Sequence, residues 1–459
     1  MNTSYTEIRE AKLALDSLSI YRQLLDDAVL KKLYGLLEYV QNLGKNPDLD
    51  GFIKHYGSFC FSLAASNPSF SLKDYIIDLI LYDDNAFTMA AESISPGEMN
   101  SALKAGASQD LACLHRVTCL KPSSLKSLVK EHFTLTGFEM SVIESLPSWT
   151  SEVSRCRSGL DSAQPADEIR ALFRSDMPWK DLPDLLSGFF RRNGRGIYAK
   201  YAAFTWEHNS EGGCLKGVRA PDPVRLSDLI GYDSERSEVL DNTLKFLEGL
   251  PANNMLLYGD RGTGKSSTVK AILNEYRKSG LRLVEVPKNR LIDFPVIAAR
   301  LKDSSMKFII FVDDLAFEDN EENYTALKAV LEGGIEMRPS NVIIYATSNR
   351  RHLIKERFSD RAGLSSGDRD DEVRSADTMQ EKLSLSDRFG ITVIFSAPDK
   401  QRYLEIVEGI ARRRGLVINT EELHREALKW ELWYNGRSPR TARQFVDWLE
   451  GELKKRKRP

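Results

Sequence analysis

The residues best suited to chemistry are Gly259-Asp260-Arg261-Gly262-Thr263-Gly264-Lys265-Ser266, which fit the pattern Gly, any four residues, Gly-Lys-Ser. Glycines let such a loop curl with its backbone N–H groups turned inward, where they gather phosphate oxygens. Lys265 then sets a cation against the β- and γ-phosphates of a nucleoside triphosphate such as ATP. The Ser266 hydroxyl is a magnesium ligand, and Ser267 belongs with the phosphate contacts. The pattern has meaning only between a strand and a helix. Met255–Tyr258 reads as a short apolar strand, and a helix opens near Lys265. A chance glycine-rich turn would lack both neighbours.

A second group lies 48 residues beyond Lys265, where the apolar run Phe308-Ile309-Ile310-Phe311-Val312 ends in Asp313-Asp314. This is the Walker B pattern, in which Asp313 holds magnesium directly or through water. Asp314 stands where a carboxylate would polarise the attacking water. Glu318 is the rival base, although its position reads as a loop. A further strand runs into Thr347-Ser348-Asn349, and ligands of open α/β sheets sit beyond the carboxyl ends of the strands. Asn349 is therefore placed to orient water or to touch the γ-phosphate. Taken alone the triplet is weak, because Ser and Asn commonly end strands.

These groups need a scaffold. From Leu226 onward, apolar strands alternate with helical stretches: Met255–Tyr258, Leu281–Val286, Phe308–Val312, Asn341–Ala346 and Ile391–Ser396, with helices such as Lys265–Lys278 and Tyr324–Glu332 between them. Such alternation predicts an α/β fold with a parallel five-stranded sheet covered on both faces. Three helical segments follow: Lys400–Arg414, Glu421–Trp433 and Arg440–Lys455. Residues 1–188 read as a mostly helical accessory domain, with Leu24, Leu25, Val29, Leu30, Leu33, Leu36 and Leu37 at helical spacing. Residues 189–222 read as a linker that holds a β-hairpin, with Gly212-Gly213 at its turn. Gly194 and Gly196 beside Arg192 and Arg195 hint at phosphate contact, but so short a pattern is better read as a loop. The nucleotide domain spans 223–398 and a helical lid with a basic tail spans 399–459. Ser359–Lys382 holds 11 charged residues in 24 and reads as a long mobile loop.

The order of motifs resembles an AAA+ module over about residues 220–453. It comprises Leu229-Ile230-Gly231-Tyr232, the P-loop, Asp313-Asp314, Asn349, Ser386-Asp387-Arg388-Phe389 and Ser438-Pro439-Arg440. A narrower resemblance is to an uncharacterised bacterial family of predicted ATP-binding proteins, domain of unknown function 815. It rests on Pro251-Ala252-Asn253-Asn254, Leu331-Glu332-Gly333-Gly334, Tyr345–Leu353 and Leu383–Gly390. The resemblance implies that Ile230 and Gly231 lie against adenine. It implies that Arg440 reaches the phosphates from the lid, with Arg443 a weaker rival. Arg388 would act as an arginine finger in a neighbour's site, ahead of Arg357 and Arg361. It also implies a homo-oligomer, with a hexameric ring among the forms. Many AAA+ proteins carry Glu where Asp314 stands, a difference in reach of about 1.5 Å; initiator-type relatives often carry the Asp pair.

Composition narrows the class. The chain has 459 residues, 42% of them hydrophobic, which is ordinary for a soluble globular protein. Its 64 basic and 66 acidic side chains nearly balance, so gross charge does not favour a nucleic-acid partner, although a local basic patch remains open. Lys454-Lys455-Arg456-Lys457-Arg458 reads first as a solvated tail. Met1–Leu15 has no basic stretch followed by an apolar run, and no apolar segment reaches 18 residues. The five cysteines are sparse and read as free thiols. Cys113, His115 and Cys119 lie close together, but a zinc site would need further ligands, so a structural helix is expected there. The expectation is a cytoplasmic ATPase without membrane contact.

Three readings of its work follow. The first is ATP hydrolysis coupled to remodelling of a protein partner chosen by the N-terminal domain. The second is a DNA-associated loader or initiator-like ATPase. The third is a nucleotide-gated switch with little turnover, which would not need Asp314, Asn349 and Arg388 together. Lys288 and Arg290 follow the second strand, where AAA+ rings often meet a substrate, without the aromatic-apolar-glycine signature of protein-threading rings.

Overall fold

The computed structural model describes residues 3–44, 48–94, 97–149, 165–209, 212–315, 339–349, 389–434 and 436–456. The expected helix Tyr324–Glu332, the charged segment Ser359–Lys382, Glu318, Arg357, Arg361 and Arg388 lie outside them. The chain forms two compact units, Met1–Lys200 and Tyr201–Pro459. Among the described residues, no helix is long and apolar enough to cross a membrane.

The first unit is helical. Its elements are α1 (Thr3–Asp16), α2 (Ala28–Gln41), α3 (Leu49–Ser66), α4 (Leu72–Leu81), α5 (Ala86–Ser93), α6 (Ser101–Thr118), α7 (Pro122–His132), α8 (Gly137–Ser145), α9 (Pro165–Arg174), α10 (Pro183–Asn193) and α11 (Gly196–Lys200). The α2 stripe behaves as its spacing requires: Val29, Leu30, Leu33, Leu36 and Leu37 are all fully buried. Asp27 starts that helix by accepting from the N–H groups of Val29 and Leu30. The core continues through Phe52, Tyr56, Phe59 and Trp179. His115 of α6 stacks on Trp179 with ring centroids 4.9 Å apart, and Cys113 Sγ lies 3.2 Å from Ser17 Oγ, so both side chains have structural partners.

Helix α10 spans residue 188, and the two compact units divide between Lys200 and Tyr201. Arg195 follows that helix and pairs with Glu92 at 2.8 Å and with Asp84. Its guanidinium therefore balances two carboxylates.

The second unit contains β1 (Ala203–Asn209), β2 (Gly212–Gly217), α12 (Asp233–Leu247), β3 (Met255–Gly259), α13 (Lys265–Tyr276), β4 (Leu281–Glu285), α14 (Phe294–Leu301), β5 (Lys307–Val312), β6 (Val342–Asn349), β7 (Ile391–Phe395), α15 (Lys400–Arg413), α16 (Thr420–Trp433) and α17 (Pro439–Arg456). Among the described residues the strands form one sheet of order β2-β1-β4-β5-β6-β3-β7. Every pairing is parallel except β1 with β2. Strands β3, β5 and β6 are buried almost throughout, as runs such as Phe308–Val312 require when both sheet faces are covered.

The sheet thus has seven strands rather than the expected five. The parallel part β4-β5-β6-β3-β7 is the expected sheet, and the hairpin placed in the linker extends its edge. Strand β1 runs parallel to β4, with Phe204 opposite Val284. Side-chain packing explains why this was hidden. The Trp206 ring occupies the space a side chain at Gly213 would need, and the Tyr201 ring does the same at Gly217. Trp206 is buried, and its Nε1 donates to Asp293 Oδ2 at 2.8 Å.

Helices α15–α17 do not pack apart from the sheet. Tyr403, Ile406, Val407, Phe445 and Val446 share one apolar core with Met255, Leu257 and Phe395. That shared core sets the lid helices beside the carboxyl ends of the strands.

Candidate nucleotide-binding site

Strand register builds the site before any side chain is considered. Gly259, at the end of β3, lies opposite Asn349 on one side and Phe395 on the other. Val312, at the end of β5, lies opposite Ala346. Asp313, Asp314 and Asn349 therefore emerge beside the loop that follows Gly259. Only glycine suits position 259. Its φ is 144°, and a Cβ there would collide with the carbonyl of Phe395.

The loop closes on itself and leads into α13 at Lys265. Thr263 Oγ1 donates to the Asp260 carbonyl at 2.8 Å. Asp260 is turned toward β7: its N–H donates to the Phe395 carbonyl at 3.0 Å, and its Oδ2 accepts from the Ala397 N–H at 2.7 Å. The Lys265 ammonium is buried and donates to the Asp260 carbonyl at 2.7 Å, the Gly259 carbonyl at 3.1 Å and Asn349 Oδ1 at 3.2 Å. Burial pushes Lys265 down to about 8; Asp260, Asp313 and Asp314 oppose that shift, and Arg440 adds to it.

The two acids have different partners. Asp313 Oδ1 accepts from Ser266 Oγ at 2.6 Å and from Thr347 Oγ1 at 2.6 Å. Asp314 Oδ1 accepts from Asn349 Nδ2 at 2.6 Å. Asn349 therefore bridges Lys265 and Asp314 with the two ends of one amide. Asp314 itself has φ 54°, a left-handed conformation uncommon for a residue with a Cβ.

The Ser266–Asp313 pair suits magnesium. A hydroxyl and a carboxylate oxygen stand 2.6 Å apart, and both are hard donors. Among the described residues no cluster of three or more His, Cys, Asp or Glu gathers to hold a metal alone.

A cleft of about 550 Å³ joins these groups. Its polar end is lined by Arg261 to Ser267, Asp313, Asp314, Thr347 and Asn349. Its apolar end is lined by Leu229, Ile230, Ile406 and Ile410, which offer a surface for a planar base. Gly231 borders an adjoining groove with Tyr232 and Arg402, and Gly259 and Asp260 line neither. Arg440 reaches the cleft because α17 begins against the P-loop. Its N–H donates to the Gly262 carbonyl at 3.2 Å, while Ser438 Oγ accepts from the Thr441 N–H at 3.1 Å and starts the helix. A side chain at Gly262 would crowd Ser438 and Arg440.

Among the lining residues that escaped the sequence reading as site residues are Thr347, Arg236 and Asp228. Thr347 had a faint signal, since it shares a strand face with Asn349 two residues on. Arg236 pairs with Asp233 at 2.6 Å and is held below its usual range by burial. Nothing in its sequence context distinguishes it from a surface helix arginine.

Residues 199–453 match the family described as Protein of unknown function (DUF815). A stretch of 65 residues is 37% identical to the Replication factor C large subunit of Staphylothermus marinus, covering 14% of this chain and 15% of that one. Among solved structures, the Thermotoga maritima RuvB Holliday junction branch migration motor and a variant of Thermotoga maritima RuvB are each 19% identical, with TM-scores of 0.32 and 0.33. Each alignment covers 50% of this chain and 66% of the solved chain.

Proposed function

This chain belongs to the DUF815 family, with an AAA+ P-loop fold, and from that premise we propose that it binds ATP with magnesium and hydrolyses it to remodel a protein partner. The observation that carries the reading is the Asn349 bridge, with its amide between Lys265 Nζ and Asp314 Oδ1. A site that only gripped phosphate would have no need of a carboxylate tied to an amide beside the lysine.

Each residue has a role in this reading. The backbone of Arg261 to Gly264 and the Lys265 ammonium hold the phosphates, while Gly259 and Asp260 shape the start of the loop. Ser266 and Asp313 would hold magnesium, which when bound offsets phosphate charge. Asp314 polarises the attacking water, and Asn349 fixes the position of that carboxylate. Arg440, from the lid, neutralises charge that develops on the phosphoryl oxygens. Arg388 would supply a second guanidinium to a neighbouring subunit, which makes the working form a homo-oligomer. Ile230 and Gly231 would face the adenine.

The first unit supports the partner-coupled reading because it has its own apolar core and none of the phosphate-binding pattern. The test has two parts. Lys265→Ala should lose ATP binding, by calorimetry, while keeping its fold. Asp314→Asn, loaded with ATP, should retain the partner through purification from the host. Undiminished ATP affinity in Lys265→Ala would contradict the site. A second reading, a DNA-associated ATPase, draws on the Asp313-Asp314 pair and the basic run from Lys454 to Arg458. DNA-stimulated turnover with a steep salt dependence would favour it.

A further inference from the structure

We propose that Thr347 is a positioning residue that keeps Asp313 and Asp314 at their separate tasks, so that turnover, rather than nucleotide binding, depends on its hydroxyl. The proposal rests on the reading of the site as one that hydrolyses ATP.

Asp313 and Asp314 are adjacent at the end of β5, yet their carboxylates serve different partners, Ser266 for one and Asn349 for the other. Two consecutive side chains can diverge in this way if the backbone turns between them. Here it turns through the left-handed conformation of Asp314, with φ 54°. Such a conformation carries strain for a residue with a Cβ, less for Asp than for most, and its surroundings help to hold it.

Thr347 supplies the hold. A hydroxyl has one proton to donate and lone pairs to accept with. The Thr347 proton goes to Asp313 Oδ1 at 2.6 Å. Thr347 Oγ1 in turn accepts the N–H of Asp314 at 2.9 Å. One atom is thereby bonded to the side chain of the first acid and to the backbone of the second. The Thr347 carbonyl accepts from the Leu315 N–H at 2.8 Å, and Ser348 Oγ donates to the Leu315 carbonyl at 2.7 Å. These bonds tie residues 313–315 to β6 at the point where β5 ends.

Placement and burial make the hydroxyl hard to replace. Val312 pairs with Ala346, so Thr347 is the next residue of β6 alongside Asp313. Thr347 is 2% exposed, which leaves little room for water to take over its bonds. Valine would match its shape closely and would leave both the Asp314 N–H and Asp313 Oδ1 without that partner. Serine would keep both bonds and lose only a methyl group.

The experiment compares Thr347→Val, Thr347→Ser, Asp314→Asn and wild type in the full chain. ATP affinity, steady-state kcat and the magnesium concentration for half-maximal rate are measured for each. Thr347→Val should bind ATP within about threefold of wild type. Its kcat should fall by about 10- to 100-fold, the scale of a misplaced catalytic group, and its magnesium requirement should rise. Thr347→Ser should recover kcat to within about threefold. If Thr347→Val does not fold, Thr347→Ala takes its place. Wild-type kcat in the hydroxyl-free variant, or an equal loss in Thr347→Ser, overturns the proposal. A wild type that does not hydrolyse ATP overturns the functional reading and this proposal together, whereas a wild type that turns over with Thr347→Val equal to it overturns the Thr347 assignment alone.

Discussion

Asn349 Nδ2 donates to Asp314 Oδ1 at 2.6 Å, so the carboxylate assigned to the water is held by the strand that borders the P-loop strand. Replacing Asn349 by Ala removes that donor and leaves Asp314 free to rotate. Turnover should fall by about 10- to 100-fold, while ATP affinity changes by no more than about threefold. Steady-state kinetics beside a direct binding measurement separates the two. Parallel losses in both would mean that Asn349 grips the nucleotide instead.

Lys265 predicts a pH dependence. Its pKa falls from the ordinary 10.5 to about 8 because burial disfavours the charge. In the free protein the unfolded chain therefore holds more protons than the folded one between about pH 8 and 10.5, so this group's stability cost is present below pH 8 and relieved as pH rises. ATP acts in the opposite direction, since phosphate beside the ammonium favours the charged form. At pH 8.5 binding should take up protons, and affinity should decline with rising pH by up to about tenfold per unit. Calorimetry in buffers of different ionisation enthalpy measures the uptake. Zero uptake would place the phosphates away from Lys265.

The boundary between units predicts how the chain can be shortened. A chain beginning at Tyr201 retains β1 and β2 and should fold and bind ATP like the full protein. One beginning at Val218 loses both strands, which uncovers the edge of β4 and removes Trp206 from Asp293. It should melt earlier or aggregate. Thermal unfolding of the two proteins distinguishes them, and equal stability would show that the hairpin is dispensable.

Much of the site was legible because its chemistry is local in sequence. The P-loop occupies eight consecutive residues, and the run Phe308–Val312 announces the acids that end it. Strand β6 was legible through Val342–Ala346, yet the role of Thr347 was not, because a threonine at a strand end has many structural uses. Its importance comes from Asp314 adopting φ 54°, a backbone property that Asp tolerates better than most residues but that the sequence does not announce. The edge of the sheet was hidden for another reason. Strand β2 reads Gly-Gly-Cys-Leu-Lys-Gly, poor in β-branched residues, and its glycines make sense only once Trp206 and Tyr201 are seen lying against them.

Arg388 carries a prediction from sequence alone, since it lies outside the described residues. It precedes β7 within Ser386-Asp387-Arg388-Phe389, and a guanidinium there would complete a neighbour's site. Such fingers contribute about 10³–10⁵ in rate in other nucleotide hydrolases. Arg388→Ala and Asp314→Asn should each be inactive, and mixing them should restore part of the activity. Normal hydrolysis by Arg388→Ala alone, or a protein that stays monomeric with every nucleotide, would defeat the idea.

The central claim, that this site hydrolyses ATP through Asp314, is tested most directly by measuring binding and turnover on the same preparation of Asp314→Asn. Asparagine keeps the size and polarity of the side chain and removes the carboxylate that polarises water. The account predicts a dissociation constant for ATP with magnesium within about threefold of wild type and a single-turnover rate at least about 100-fold lower. A variant that hydrolyses ATP at the wild-type rate would contradict it.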